Sequence, residues 1–154
     1  MERINSLFKE QVYQQCLDAV NDRIQQAEYA LLQAREASQD ETKSSAGDKY
    51  ETTREMMQQD IDRNTSQLYE ARKLLFQLEQ CKDVAVSGSV VPGSLIKTSR
   101  ALLYLAVGIG QLKVDNQSLF ALSPASPLGQ LLMGKKVGDE LNFNGTVQRI
   151  EAIC

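Results

Sequence analysis

The sequence predicts an α+β protein: an antiparallel coiled-coil helical hairpin over residues 1–82, then a small antiparallel β domain holding one short helix over residues 83–154. Three observations carry this prediction. Two apolar stripes, each with spacings that alternate between three and four residues, flank a polar, small-residue stretch. Around residues 81–86 charge falls, Gly and Val enter and the helical period stops. Beyond that point short apolar runs are punctuated by Pro-Gly, Ser-Pro and Asn-Gly.

The first stripe is Leu17, Val20, Ile24, Ala27, Leu31 and Ala34. The second is Met57, Ile61, Asn64, Leu68, Ala71, Leu75 and Leu78. A bend at residues 44–47, in Ser-Ser-Ala-Gly, sets Ala34 against Met57, Leu31 against Ile61, Ile24 against Leu68 and Leu17 against Leu75. A slip of one residue spoils every pair. Each arm is then on the order of 45 Å long. Asn5 or Ser6 caps the first helix, and Ile4, Leu7, Phe8 and Val12 give it a wider apolar face near its start. Asn64, polar within the seam, fixes register.

The second helix is expected to start near Asp48. Asp48 followed three residues later by Glu51 is close to a capping box, and both carboxylates suit the positive end of the helix dipole. The same spacing puts the pair on one helical face. Two carboxylates are too few to hold Mg²⁺ alone, but they could complete a metal site offered by another protein.

In the second half, residues 84–91 read as a strand leading to the Pro92-Gly93 turn. Residues 101–107 are a continuous apolar run, as expected of a central strand buried on both faces. Residues 117–122 form a further strand. Ser126 as N-cap, Pro127 in the first turn and Gly134 past the end spell a short helix, with Leu128, Leu131 and Leu132 on its apolar face. Asn144-Gly145 joins the last two strands as a hairpin.

Composition excludes several functions. There is no His, and Cys16, Cys81 and Cys154 lack Cys-x-x-Cys spacing, so a structural zinc site is ruled out. A formal net charge of −3 makes duplex nucleic acid an unexpected primary partner. Up to Lys82 the chain carries 11 basic and 15 acidic residues, after it 6 and 5, so most charge lies on the hairpin, as solvated helix flanks require. Scattered thiols, a start without an apolar leader core and no run near ~18 apolar residues point to a cytoplasmic protein with no membrane partner. A monomer is expected.

Residues 123–141 read Ser-Pro-Ala-Ser-Pro-Leu-Gly-Gln-Leu-Leu-Met-Gly-Lys-Lys-Val-Gly-Asp-Glu-Leu. This resembles the C-terminal signature of the bacterial Gre family of transcript cleavage factors: Ser-Pro-x-Ser-Pro-Leu-Gly, an apolar turn, then Gly-Lys-x-Val-Gly-Asp-x-Val. Gly47-Asp48-Lys49-Tyr50-Glu51 and the residues after it resemble that family's tip, Gly-Asp-Leu-x-Glu-Asn-Ala-Glu-Tyr. The resemblance implies an FKBP-like C-terminal domain that docks on RNA polymerase through Ser126, Pro127, Leu128 and Gly129. It also implies a coiled coil that enters the secondary channel and reaches the 3′ end of the nascent RNA. Asp48 would help hold an Mg²⁺ shared with the polymerase, and Glu51 would orient or deprotonate the attacking water. No cofactor is expected on the chain alone, which would complete the polymerase's metal site rather than act as an enzyme. Lys49 and Arg54, where the family carries other residues, add positive charge beside the acidic pair, which reduces its pull on Mg²⁺ and favours RNA phosphate.

Two other readings stand beside this one: a Gre-like regulator that enters the channel without stimulating cleavage, and a coiled-coil adaptor for an unrelated protein. A prolyl isomerase is disfavoured, because Tyr104, Phe120 and Phe143 are the only aromatic residues of the C-terminal half.

Overall fold

A computed structural model describes residues 4–44 and 48–154, apart from the side chains of residues 41–50. Helices α1 (Ser6–Ser44) and α2 (Asp48–Glu79) open the chain. Strands β1 (Leu95–Thr98), β2 (Leu102–Leu105), β3 (Gly110–Val114) and β4 (Gln117–Leu122) follow, then helix α3 (Pro127–Leu132) and strands β5 (Glu140–Phe143) and β6 (Thr146–Ile153). The fold is therefore α+β. It divides into two compact units, Val20–Leu75 and Met1–Ala19 with Phe76–Cys154.

The unit Val20–Leu75 is a helical hairpin; of the bend expected at residues 44–47, residues 45–47 lie outside the described residues. Every residue of the two stripes in this unit is buried or half-buried, and Ser38 and Thr53 continue the spacing outward. Ala27, Leu31 and Leu68 form a buried cluster on which Ile24 and Ile61 pack, so the stripes meet as an apolar seam. Burying that seam holds the two helices together. Asn64 is half-buried, and its Nδ2 donates to the Asp60 carbonyl of its own helix at 2.9 Å. Arg72 and Glu28 stand 3.9 Å apart across the pair, an exposed contact of small energetic weight.

In the other unit, Asn5 caps α1: its Oδ1 accepts from the Phe8 amide at 2.8 Å. Phe8, Val12 and Cys16 are buried at helical spacing. Leu7, expected in that cluster, is 67 % exposed. One residue is a 100° rotation on a helix, which carries Leu7 off the line from Phe8 to Cys16.

The sheet has the order β3-β4-β2-β1-β6-β5 and is mixed, which corrects the antiparallel sheet expected from sequence. β2 runs parallel to β4, with Leu103 opposite Phe120 and Leu105 opposite Leu122. The cause is the β3–β4 hairpin. Asp115 and Asn116 both take positive φ (50° and 63°) and close a two-residue turn, which slots β4 between β3 and β2. Residues 84–91 form no strand. Gly88 at φ 85° breaks the alternation, and only an isolated bridge from Ser89 to Lys136 remains.

β2 is the central strand, and all four of its residues are buried. Leu103 and Leu105 join Val90, Ile96, Leu132, Leu141 and Ile150 in one core on the side of α3. Alternation turns Tyr104 to the opposite face, where it is fully buried. The Asn144-Gly145 turn between β5 and β6 has positive φ at both residues (52° and 80°), as the hairpin prediction requires.

Candidate functional site

The residues singled out by sequence fall in two places. Asp48 is the first residue of α2, and Glu51 lies one turn on, with an exposed side chain. The Asp48 side chain, and with it the expected capping role, lies outside the described residues, as do residues 45–47 of the expected bend. Thr52, Arg54, Glu55 and Met56 are exposed around Glu51. Among the described residues no group of three or more His, Cys, Asp or Glu is placed to hold a metal ion. One exposed carboxylate and a helix start do not make a metal site; they can add ligands to one that another molecule supplies.

The second place is the start of α3. Ser126 is its N-cap, with extended backbone, and Pro127 occupies the first turn. Ser126 Oγ accepts from the Gly129 amide at 3.1 Å and donates to the Ser123 carbonyl oxygen at 2.6 Å. Ser123 Oγ in turn accepts from the Ala125 amide at 3.1 Å. Both serines of Ser-Pro-Ala-Ser-Pro are thus spent on local backbone. Gly129 is buried in contact with the Ser123 carbonyl. Leu132 anchors the helix in the core and Leu128 packs half-buried beside it. Leu131, expected on the same face, is 39 % exposed, because the six-residue helix sets only its i and i+4 positions toward the sheet.

The rest of the motif builds the turn into β5. Asp139 Oδ2 accepts from the Lys136 amide at 2.8 Å, and the Gly138 amide, at φ 94°, donates to the Ile150 carbonyl at 2.8 Å. A side chain at Gly138 would strain that turn.

Ser126, Pro127 and Leu128 form one wall of an open apolar groove of about 570 Å³. Phe120, Leu122 and Phe143 line it from the sheet, and Gly108 and Gly110 leave its edge low. Its polar floor is Gln148, whose Oε1 accepts from Thr98 Oγ1 at 2.6 Å. Phe120 keeps 47 % of its surface exposed here, a large apolar area for a solvent-facing side chain. Sequence reasoning named the α3 wall but not Phe120, Phe143 or Gln148. The alternation of β4 was the available signal, since it puts Ser118, Phe120 and Leu122 on one side.

The two places therefore differ in chemistry. The groove can hold an apolar side chain or the face of a partner helix; its lining carries no acidic or basic side chain, and its two serine hydroxyls are engaged with local backbone. The α2 start offers carboxylate. Among the described residues no helix is long and apolar enough to cross a membrane. No protein-family model matches the chain, and no curated protein matches it.

Proposed function

We propose that this chain is a Gre-type transcription elongation factor, in which the groove beside α3 docks on RNA polymerase and the acidic start of α2 stimulates cleavage of backtracked transcripts. The observation that carries the reading is the coincidence of motif and groove. The segment that resembles the family signature, Ser126, Pro127 and Leu128, walls the apolar groove that leaves Phe120 exposed. An apolar surface of this kind, rimmed by polar residues, suits a protein partner.

The helical hairpin supports the second part. The packing of Ile24, Ala27 and Leu31 with Ile61 and Leu68 supports a coiled-coil reading, and at ~1.5 Å per residue the pair is on the order of 40 Å long. A narrow rod is suited to a channel, and Glu51 is exposed in the first turn of α2. Glu51 can accept a hydrogen bond or a proton from a water aligned on a phosphodiester. Asp48, at the first position of the same turn, would add an oxygen ligand to Mg²⁺ held by the polymerase. That ion would supply neutralisation of charge on the phosphate. The FKBP-like identity of the sheet unit belongs to this same reading.

Docking is tested by substituting Phe120 with Ser and measuring binding to RNA polymerase from the source organism. The reading expects a loss of about tenfold or more in affinity, with the melting temperature unchanged within a few degrees. Equal affinity for both proteins would remove the groove from the interface.

A further inference from the structure

A second cavity, of about 780 Å³, lies within the same unit as α3 but is built from other elements. Its walls are the first turns of α1, the irregular segment after α2 and the buried Tyr104 of β2. Unlike the groove beside α3, it combines apolar walls with convergent polar groups, the ordinary make-up of a small-molecule site.

Three observations define what it would hold. Lys9 is half-buried, and among the described residues no carboxylate stands within ion-pair distance of it. Its Nζ donates to the Val84 carbonyl at 3.0 Å, which uses one of three N–H groups and compensates no charge. Burial lowers its pKa, with opposing contributions from Cys154 and Cys81. A desolvated ammonium without a counter-ion favours an anion beside it.

The second observation is Tyr104, fully buried, whose hydroxyl has no hydrogen-bond partner among the described residues. It faces the same cluster: burial raises its pKa, and Cys16, Cys81 and Tyr13 act on it electrostatically. Cys81 and Tyr13 also line the cavity. The third is the pair Ala85 and Val86, which line the cavity and whose backbone N–H groups have no hydrogen-bond partner among the described residues. Leu17, Val86 and Ile153 supply the apolar wall.

The charge at the mouth narrows the ligand further. Glu10, Lys82 and Asp83 line the cavity with exposed side chains. The two carboxylates outweigh the one added ammonium and disfavour a multiply charged group such as a nucleotide phosphate, while a single charge at Lys9 remains favourable. We propose that this cavity binds a small amphipathic monoanion, a carboxylate or sulfonate on an apolar body, with its charged group on Lys9 Nζ.

The test uses the full chain and two fluorescent probes of similar shape, anilinonaphthalene sulfonate and its neutral counterpart N-phenylnaphthylamine. The native protein is expected to bind the sulfonate about tenfold more tightly than the neutral probe, the effect of one charge-assisted hydrogen bond. Lys9→Met should abolish that preference, and Lys9→Arg should keep it. Leu128→Ser, in the other groove, should leave sulfonate binding unchanged. Equal affinity for the two probes on the native protein overturns the proposal, and this comparison stands even where Lys9→Met fails to fold. Loss of sulfonate binding in Leu128→Ser, or its retention at native strength in Lys9→Met, overturns it as well.

Discussion

Gly129 lies directly against the carbonyl oxygen of Ser123, with no room for a side-chain carbon between them. The contact closes the turn that brings the chain from β4 into α3. It explains a glycine in the first turn of a helix, a costly place for one unless something packs there. Ser126 Oγ and Pro124 Cα stand 2.9 Å and 3.0 Å from where the added carbon would sit.

Gly129→Ala should therefore destabilise the protein by about 1–3 kcal/mol, the range for overpacking a tight site. Urea unfolding of the variant measures this. The loss should appear without any partner present, which separates a folding role for Gly129 from a contact role.

Leu131 and Leu132 are neighbours in sequence with opposite surroundings. Leu132→Ala should cost about 2–5 kcal/mol, because Leu132 is fully buried among Ile96, Leu103 and Ile150. Leu131→Ala should stay within about 0.5 kcal/mol. Thermal unfolding of the two single variants decides the assignment of faces.

Tyr104→Phe removes a buried hydroxyl that has no partner among the described residues. Leaving such a group unpaired costs about 1–3 kcal/mol, so the variant should be as stable as the native protein or more so. A marked drop in melting temperature would show that the hydroxyl is hydrogen-bonded in solution.

Burial pushes the Cys16 thiol up to about 12 from an ordinary value of 9.0, with a smaller contribution from Cys81. The folded state keeps this proton where the unfolded chain releases it. Stability tied to Cys16 is then fully present below pH 9 and is lost as pH rises toward 12. Cys16→Ala should be less stable at neutral pH, from the lost packing, and should show a shallower decline in alkali. Urea midpoints measured from pH 7 to 10.5 test the slope.

The hairpin was legible in the sequence because a seam is periodic. From Val20 to Ala71 every stripe position is buried or half-buried. Residues 101–107 were legible for a related reason, since a strand buried on both faces reads as an unbroken apolar run. β3 was not. It is an edge strand with exposed Gln111 and Lys113, and its turn, Asp115-Asn116, lacks the glycine that marks such hairpins most strongly. Residues 84–91 misled because Val alternation signals a strand only where a partner edge exists. The α3 wall of the groove was visible through its cap and proline. Phe120 and Phe143 are brought beside it by parallel pairing and a distant hairpin, which local pattern does not encode.

The central claim is that the start of α2 acts on backtracked transcripts, and transcript shortening tests it most directly. Backtracked elongation complexes, assembled with polymerase from the source organism and Mg²⁺, would be mixed with the native protein or with the Asp48→Asn, Glu51→Gln double variant. Shortening by the native protein alone, with both proteins bound equally, is the predicted result. Equal binding with no shortening by either protein would contradict it, leaving Asp48 and Glu51 as helix-start residues of a factor that occupies the channel without stimulating cleavage.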